Sequence, residues 1–174
     1  HDTIPFEVNP FGFDHDGFAR QRDDPGRQAI ESRLARTPGV RRILLVSHYN
    51  YFRNFDTLLR AVAILHARRQ EFRLPPVELI LTTRLAAGLK FHRYDTTQSA
   101  NLLDQLGIRP ITTMLGSVSH QELPHLYGLA DVVICPSYAE SFGHPMVEAM
   151  ACGRPIVAAD RNVHREVCGS AALY

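Results

Sequence analysis

The sequence predicts an α/β protein with a doubly wound, mostly parallel Rossmann-like sheet and helices on both faces. Short apolar runs typical of buried strands alternate with segments whose apolar residues recur at helical spacing. The chain has 174 residues, of which 45% are apolar and 21% charged, and these values are typical of one globular domain with a sizeable core. We therefore expect a single domain over residues 19–174, preceded by a less regular segment.

That segment, residues 1–18, is irregular because it carries four residues that interrupt helices and strands: Pro5, Pro10, Gly12 and Gly17. The two acids around His15 suit a solvated turn better than a metal site. A short helix is predicted next, over residues 20–36, and Pro38 with Gly39 ends it.

Strands and helices then alternate to the end of the chain. The predicted strands cover residues 43–46, 77–81, 111–115, 132–136, 155–160 and 171–174. A helix over residues 55–69 has apolar residues at helical spacing: Leu58, Leu59, Val62 and Leu65. A second helix covers residues 97–106 and stops at Gly107. Ser119 and Glu122 have the spacing of a capping box, which predicts the start of another helix.

Charge and composition argue against several kinds of function. A formal net charge of +1 gives no electrostatic reason to bind nucleic acid or a membrane surface. No apolar stretch approaches the roughly 18 residues of a transmembrane span. The nine histidines and three cysteines lack metal-binding or redox spacing, so we expect no metal site and no disulfide framework. Buried, reduced thiols at the three cysteines suit a cytoplasmic protein.

Two glutamates flank a predicted strand-to-helix turn. Glu140 follows the strand over residues 132–136, and Glu148 is expected in the first turn of a helix that Pro145 opens. In open parallel sheets, ligands bind beyond the carboxyl ends of strands, where helix N-termini attract phosphate. A carboxylate accepts hydrogen bonds from vicinal sugar hydroxyls. Alternatively, Glu148 only complements a helix dipole and Glu140 is an exposed loop charge.

The surrounding residues favour the ligand-binding interpretation. Residues 136–157 follow the pattern P-S-x-x-E-x-F-G-x-P-x-V-E-A-M-A-x-G-x-P-I-V, which closely resembles the family 4 glycosyltransferases. These are retaining, nucleotide-sugar-dependent enzymes with the two-domain GT-B architecture. The resemblance extends over residues 40–65, 111–129 and 165–174. It implies that the chain is similar to the C-terminal, donor-binding domain of such an enzyme, and that residues 1–18 are similar to the segment that joins the two domains.

The loop after the first predicted strand resembles the same family with three replacements. The family usually has Gly-Arg at this point and a Lys five residues later, and both cations meet the donor diphosphate. Here Ser47 stands for the glycine, His48 for the arginine and Arg53 for the lysine. Arg53 keeps a permanent charge, whereas a neutral His48 offers one donor. The alternative is a surface loop whose aromatic residues pack on a neighbour.

The resemblance also implies roles for the other site residues. Glu148 would bind the ribose hydroxyls of the donor, and Glu140 and Arg53 are the candidate catalytic residues at the donor sugar and the diphosphate. Gly116 and Val118 fall in the loop that borders the nucleobase in this family. The diphosphate would also meet backbone amides near Phe142, Gly143 and His144. No metal cofactor is implied, because cations and amides carry the leaving group's charge.

The sequence thus predicts the donor-binding half of a retaining glycosyltransferase that moves a sugar from a nucleoside-diphosphate sugar to a glycan, lipid or small-molecule acceptor. The acceptor site would lie on an N-terminal GT-B domain that these residues lack, so the chain alone is expected to bind donor and transfer nothing. The full-length protein is expected in the cytoplasm, where it is either free or peripheral to the membrane.

Three other functions compete with this one. A catalytically silent nucleotide-sugar-binding domain is an alternative, because Ser47 and His48 replace the usual Gly-Arg. A GT-B nucleotide-sugar epimerase is another, because it shares the architecture. A nicotinamide-dependent Rossmann dehydrogenase is disfavoured, because residues 47–52 contain no glycine for the phosphate loop.

Overall fold

A computed structural model describes residues 12–19, 25–34 and 37–174 of the chain. The strands are β1 Arg41–Leu45, β2 Val77–Leu81, β3 Lys90–Phe91, β4 Tyr94–Asp95, β5 Thr112–Met114, β6 Val132–Cys135, β7 Ile156–Ala158 and β8 Ala172–Leu173. Six of them form one sheet in the order β5-β2-β1-β6-β7-β8, in which all neighbours are parallel. The two-residue strands β3 and β4 form a separate antiparallel hairpin.

Helices pack on both faces of the sheet. They are α1 His15–Ala19, α2 Pro25–Glu31, α3 Phe55–Arg68, α4 Thr97–Gln105, α5 Leu123–Leu129, α6 His144–Ala151 and α7 Asn162–Cys168. Apolar residues of α3 and α4 share one core cluster, and those of the other helices share the second. The predicted doubly wound α/β class is therefore confirmed.

The central strands are mostly apolar on both sides because each of their faces is covered. Ile43 and Leu45 of β1 point into the α3 and α4 cluster, whereas Leu44 between them points into the opposite cluster and is fully buried. All five residues of β2 are buried. Near-continuous apolar runs of this kind are what a parallel sheet between two helical layers requires.

The order of the strands creates a crevice at one edge of the sheet. From β1 the chain proceeds outward through β2 and β5, then returns to place β6 on the other side of β1 and proceeds outward through β7 and β8. The loops after β1 and β6 therefore diverge in opposite directions. Ligands of open α/β sheets bind at such a switch point, beyond the carboxyl ends of the strands.

The N-terminal part differs most from the sequence-based prediction. The helix predicted over residues 20–36 is shorter, since α2 ends at Glu31 and residues 20–24 and 35–36 lie outside the described ranges. Asp14, expected in a solvated turn, is exposed and accepts a hydrogen bond of 3.0 Å from the Gly17 N–H at the start of α1. Phe18 is 1% exposed and packs in the core. The predicted boundary after residue 18 thus falls within α1, and residues 1–11 lie outside the described ranges.

The three cysteines are free and buried, as predicted: Cys135, Cys152 and Cys168. Burial raises the pKa of Cys135 to about 12 and also raises the pKa of Cys168. The Cys152 thiol donates a hydrogen bond to the Phe18 carbonyl at 3.3 Å. These thiols pack as small apolar groups in the core. Within the described ranges, every helix is too short or too polar to cross a lipid bilayer.

Candidate functional site

A cleft of about 380 Å³ opens at the switch point between β1 and β6. It brings together residues that lie more than 100 positions apart in the chain. Eight of the ten predicted site residues line it: Ser47, His48, Arg53, Val118, Glu140, Gly143, His144 and Glu148. The cleft therefore collects the loop after β1, the loop after β6 and the first half of α6.

Glu148 lies in the second turn of α6, so its predicted place in the first turn was wrong. The helix begins at His144, one residue before the predicted start at Pro145, and Glu148 is consequently its fifth residue. Glu148 is 7% exposed, and its Oε2 accepts a hydrogen bond of 2.6 Å from the Tyr127 hydroxyl. It is therefore a buried, hydrogen-bonded carboxylate at the wall of the cleft and not a surface charge near the helix end.

Glu140 forms an ion pair with Arg53 across the cleft. Both side chains are largely buried, with 11% of Glu140 and 23% of Arg53 exposed. Burial lowers the pKa of the Arg53 guanidinium, but an arginine starts so high that it stays charged at neutral pH. The alternative interpretation of Glu140 as an exposed loop charge is therefore wrong, because this carboxylate is held against a cation.

Backbone hydrogen bonds tie the loops that carry these two residues. The Tyr138 N–H donates to the Phe52 carbonyl at 2.8 Å, and the Asn54 side-chain amide donates to the Pro136 carbonyl at 3.1 Å. Within the first loop, Asn50 Oδ1 accepts from the Arg53 N–H at 3.1 Å. The Arg53 side chain therefore extends from a capped 3₁₀ turn, and hydrogen bonds fix this turn to the loop after β6.

Gly143 shapes the N-terminus of α6. It adopts φ 87° and ψ 57°, a left-handed conformation that suits glycine. Pro145 has no N–H, and the Met146 N–H already donates to the Gly143 carbonyl at 2.9 Å. The amides of Gly143 and His144 lie at the N-terminus of the helix, where the helix dipole favours an anion.

The loop after β1 lies against the loop after β2. The Ser47 N–H donates to Thr82 Oγ1 at 3.0 Å, and both residues line the cleft with His48. His48 is exposed, whereas Ser47 is half-buried. The loop therefore lies along the cleft, and its aromatic Tyr49 packs inward on Phe55 with ring centroids 5.0 Å apart.

Two predicted residues lie outside the lining of the cleft. Gly116 turns the chain after β5 with φ 75°, and a Cβ there would lie 3.1 Å from Arg84 Nε. Its neighbours Ser117 and Val118 line the cleft instead. Phe142 contacts the His144 ring edge to face at 5.2 Å between centroids. Gly116 and Phe142 thus lie one or two positions from residues that line the cleft.

Several residues of the site were not predicted from the sequence: Thr82, Ser117, Leu123, Ser141 and Tyr127. The first four line the cleft, and Tyr127 lies behind it as the hydrogen-bond partner of Glu148. A tyrosine inside an apolar helix gives no signal in a single sequence that its hydroxyl meets a carboxylate 21 residues away. In the described part of the chain, no group of three or more histidines, cysteines or acids is arranged to hold a metal ion.

Known proteins share this arrangement of sequence and fold. A family model described as "Glycosyl transferases group 1" matches residues 27–172. D-inositol 3-phosphate glycosyltransferase 2 of Catenulispora acidiphila is 36% identical over 152 residues, which cover 87% of this chain and 34% of that protein. The chain therefore spans about a third of the length of this curated relative.

Solved structures share the fold at lower sequence identity. A glycosyltransferase from Rickettsia africae matches with a TM-score of 0.71 and 19% identity, over 89% of this chain and 38% of the other. HepE of Anabaena, crystallised with UDP and glucose, matches with a TM-score of 0.65 and 24% identity over the same shares. Since the family model covers most of the residues, the chain belongs to the glycosyl transferases of group 1.

Proposed function

We propose that this chain is the donor-binding half of a retaining, family 4 glycosyltransferase that transfers a sugar from a nucleoside-diphosphate sugar. The observation that carries the proposal is the convergence of Glu148, Arg53, Glu140 and the N-terminus of α6 in one cleft at the switch point of the sheet. A cation and helix amides suit a diphosphate, and two carboxylates suit hydroxyls at its two ends.

Glu148 binds the ribose in this proposal. Its Oε2 is occupied by Tyr127, so Oε1 and the second lone pair of Oε2 remain to accept from the ribose hydroxyls. A buried carboxylate makes stronger hydrogen bonds than an exposed one, since little water competes for it. Val118, on the same wall, borders the base.

Arg53 and the amides of Gly143 and His144 bind the diphosphate. Arg53 uses Nη1 for Glu140, and its Nε is buried without a hydrogen-bond partner among the described residues. The guanidinium has five N–H groups, so it can hold the carboxylate and a phosphate oxygen together. Glu140 then lies beside the diphosphate, where the donor sugar is attached.

The same groups favour sugar transfer. Breaking the anomeric bond moves negative charge onto the departing diphosphate, and fixed donors that bind this charge more tightly than the ground state lower the barrier. Arg53 and the α6 amides are fixed by the capped turn and the helix. The reaction therefore needs no divalent cation in this proposal, and activity should survive a chelator.

The acceptor and the cellular setting belong to the whole protein. We place the acceptor, a glycan, lipid or small molecule, on a second domain across the cleft, since the match covers only 34% of the related glycosyltransferase. Donor transfer would then require both domains. We place the protein in the cytoplasm or at the cytoplasmic membrane surface, in keeping with its three buried, unpaired cysteines.

Calorimetric titration of the chain with UDP-, GDP- and ADP-sugars tests donor binding. We expect one base to bind with an affinity near millimolar, about −4 kcal/mol, and Glu148→Gln to weaken it. Binding of none of the three would contradict the proposal. Radiolabelled sugar transfer by the chain alone would contradict the assignment of the acceptor to another domain.

The replacement of Gly-Arg by Ser47 and His48 leaves a second function to test, a domain that binds nucleotide sugar without catalysis. Exposed His48 supplies less positive charge to the cleft than an arginine would. Donor hydrolysis by the full-length protein separates the two functions, because a silent binder releases no free sugar.

A further inference from the structure

Tyr127 stands behind the cleft and contacts its buried carboxylate. It is fully buried in α5, and its ring packs against Phe18 with centroids 6.1 Å apart. Its hydroxyl donates to Glu148 Oε2 at 2.6 Å. Among the described residues, no other group donates a hydrogen bond to this carboxylate. The pair links the core of the domain to the wall of the cleft.

The direction of this hydrogen bond is fixed by chemistry. Burial raises the pKa of Tyr127 well above its usual range, and the negative charge of Glu148 adds to the effect. The phenol therefore keeps its proton and donates it to the carboxylate. A buried carboxylate without such a donor would lose several kcal/mol of solvation without replacement.

The geometry constrains where Glu148 points. A glutamate side chain has three rotatable bonds, and on a helix it would sample several rotamers. The Tyr127 ring cannot move, because the core surrounds it, so the bonded Oε2 is held in one place. The rest of the carboxylate then faces the cleft, which Glu148 lines.

We propose that Tyr127 is a positioning residue that aims the Glu148 carboxylate at the ribose hydroxyls of the donor. This inference rests on the proposed function, because it gives Glu148 its ligand. It adds that recognition of ribose depends on a residue that the ligand never touches. Discrimination between ribose and a sugar without hydroxyls should therefore be lost when only the phenol oxygen is removed.

Tyr127→Phe removes that oxygen and keeps the ring that fills the core. The matched control is Tyr49→Phe, which removes a hydroxyl bonded to Ser99 Oγ at 2.9 Å outside the cleft. Each protein is titrated calorimetrically with UDP, GDP and ADP and with their 2′,3′-dideoxy forms. We expect Tyr127→Phe to weaken the preferred ribonucleotide roughly tenfold and to leave its dideoxy form unchanged. Tyr49→Phe should change neither.

Three results would overturn the inference. A variant that keeps the full preference for ribose, or that weakens both forms equally, would make the Tyr127 hydroxyl a structural group only. If the unaltered chain itself binds the ribonucleotide and its dideoxy form equally, the ribose role of Glu148 fails and the inference fails with it. If the unaltered chain prefers the ribonucleotide to its dideoxy form and Tyr127→Phe keeps that preference, the inference fails and the proposed function stands.

A second measurement covers the case in which Tyr127→Phe does not fold. The hydroxyl proton of Tyr127 in the unaltered chain is buried and hydrogen-bonded, so it is a candidate for direct observation by NMR through its contacts with the ring protons. Its resonance should move when the ribonucleotide binds and stay in place with the dideoxy form. An equal shift with both nucleotides, or no shift with either, would overturn the inference.

Discussion

The two carboxylates of the cleft are held in opposite ways. Glu148 belongs to a helix, is buried, and bonds to a neutral hydroxyl that the core holds rigidly. Glu140 belongs to a loop and pairs with Arg53, a cation that the proposed ligand also needs. A diphosphate does not compete for the neutral hydroxyl of Tyr127, whereas its negative charge attracts the Arg53 guanidinium.

The Tyr127–Glu148 hydrogen bond should therefore persist when a ligand binds, whereas the Arg53–Glu140 ion pair should change. A hydrogen bond from a buried phenol orients a carboxylate without cancelling its charge. An ion pair cancels the charge until a stronger anion competes for the cation. We therefore expect the nucleoside end of the donor to meet a prearranged site, and the diphosphate end to share the Arg53 guanidinium with Glu140 while the capped turn stays fixed.

Glu148→Ala should have the largest effect on donor binding. It removes charge-assisted hydrogen bonds to the ribose, worth roughly 1.5–3 kcal/mol each, and leaves the Tyr127 hydroxyl without an acceptor. Calorimetric titration with the preferred nucleoside diphosphate measures the loss, and circular dichroism checks the fold. Glu166→Ala, an exposed glutamate on α7, is the control. Unchanged affinity in Glu148→Ala would contradict the proposed binding of ribose by Glu148.

Arg53→Ala should follow, with a loss that depends on the phosphate groups. The variant should weaken a nucleoside diphosphate by about 1.5–3 kcal/mol and leave the nucleoside almost unchanged, since only the former carries the charges that Arg53 meets. Arg53→Lys should recover part of the affinity, because lysine keeps the positive charge but lacks the bidentate geometry of a guanidinium. Equal losses for nucleoside and nucleoside diphosphate would place the guanidinium away from the phosphates.

Gly143→Ala should cost stability and diphosphate binding together. A side chain at φ 87° is strained by about 1–2 kcal/mol, and the new Cβ would overlap the Met146 methyl group. Gly39→Ala has a similar strain at φ 68° without a neighbour within 4 Å, so it is the matched control. Denaturant unfolding should show a loss in both variants, and titration should show weaker diphosphate binding only in Gly143→Ala. If Gly39→Ala weakened binding equally, the effect would be global.

His48→Ala should have the smallest effect. The side chain is exposed, and a neutral imidazole adds one hydrogen-bond donor to a cleft that already contains Arg53. We expect a loss below about 0.5 kcal/mol at pH 8. Calorimetric titration with the nucleoside diphosphate at pH 8 measures the loss. A loss as large as that of Arg53→Ala at pH 8 would reverse the assigned order of the two residues.

The same comparison explains what the sequence could and could not predict. Six strands and the turn that carries Gly143 were predictable, because apolar runs, glycines and Pro145 report on local conformation. The pairing of Arg53 with Glu140 was not predictable, because two loops 87 positions apart meet only through the order of the strands. Tyr127 was missed for the same reason, and the start of α6 was misplaced by one residue because Gly143 caps it.

The buried thiols make this protein convenient for fluorescence work. Maleimide reagents attack thiolates, and all three native cysteines are shielded in the core, with the pKa of Cys135 raised to about 12. A single cysteine introduced at Tyr51, which is 76% exposed two residues before Arg53, should therefore be the one position that a dye labels. Such a probe would report nucleotide binding beside Arg53 in real time, without prior removal of any native cysteine.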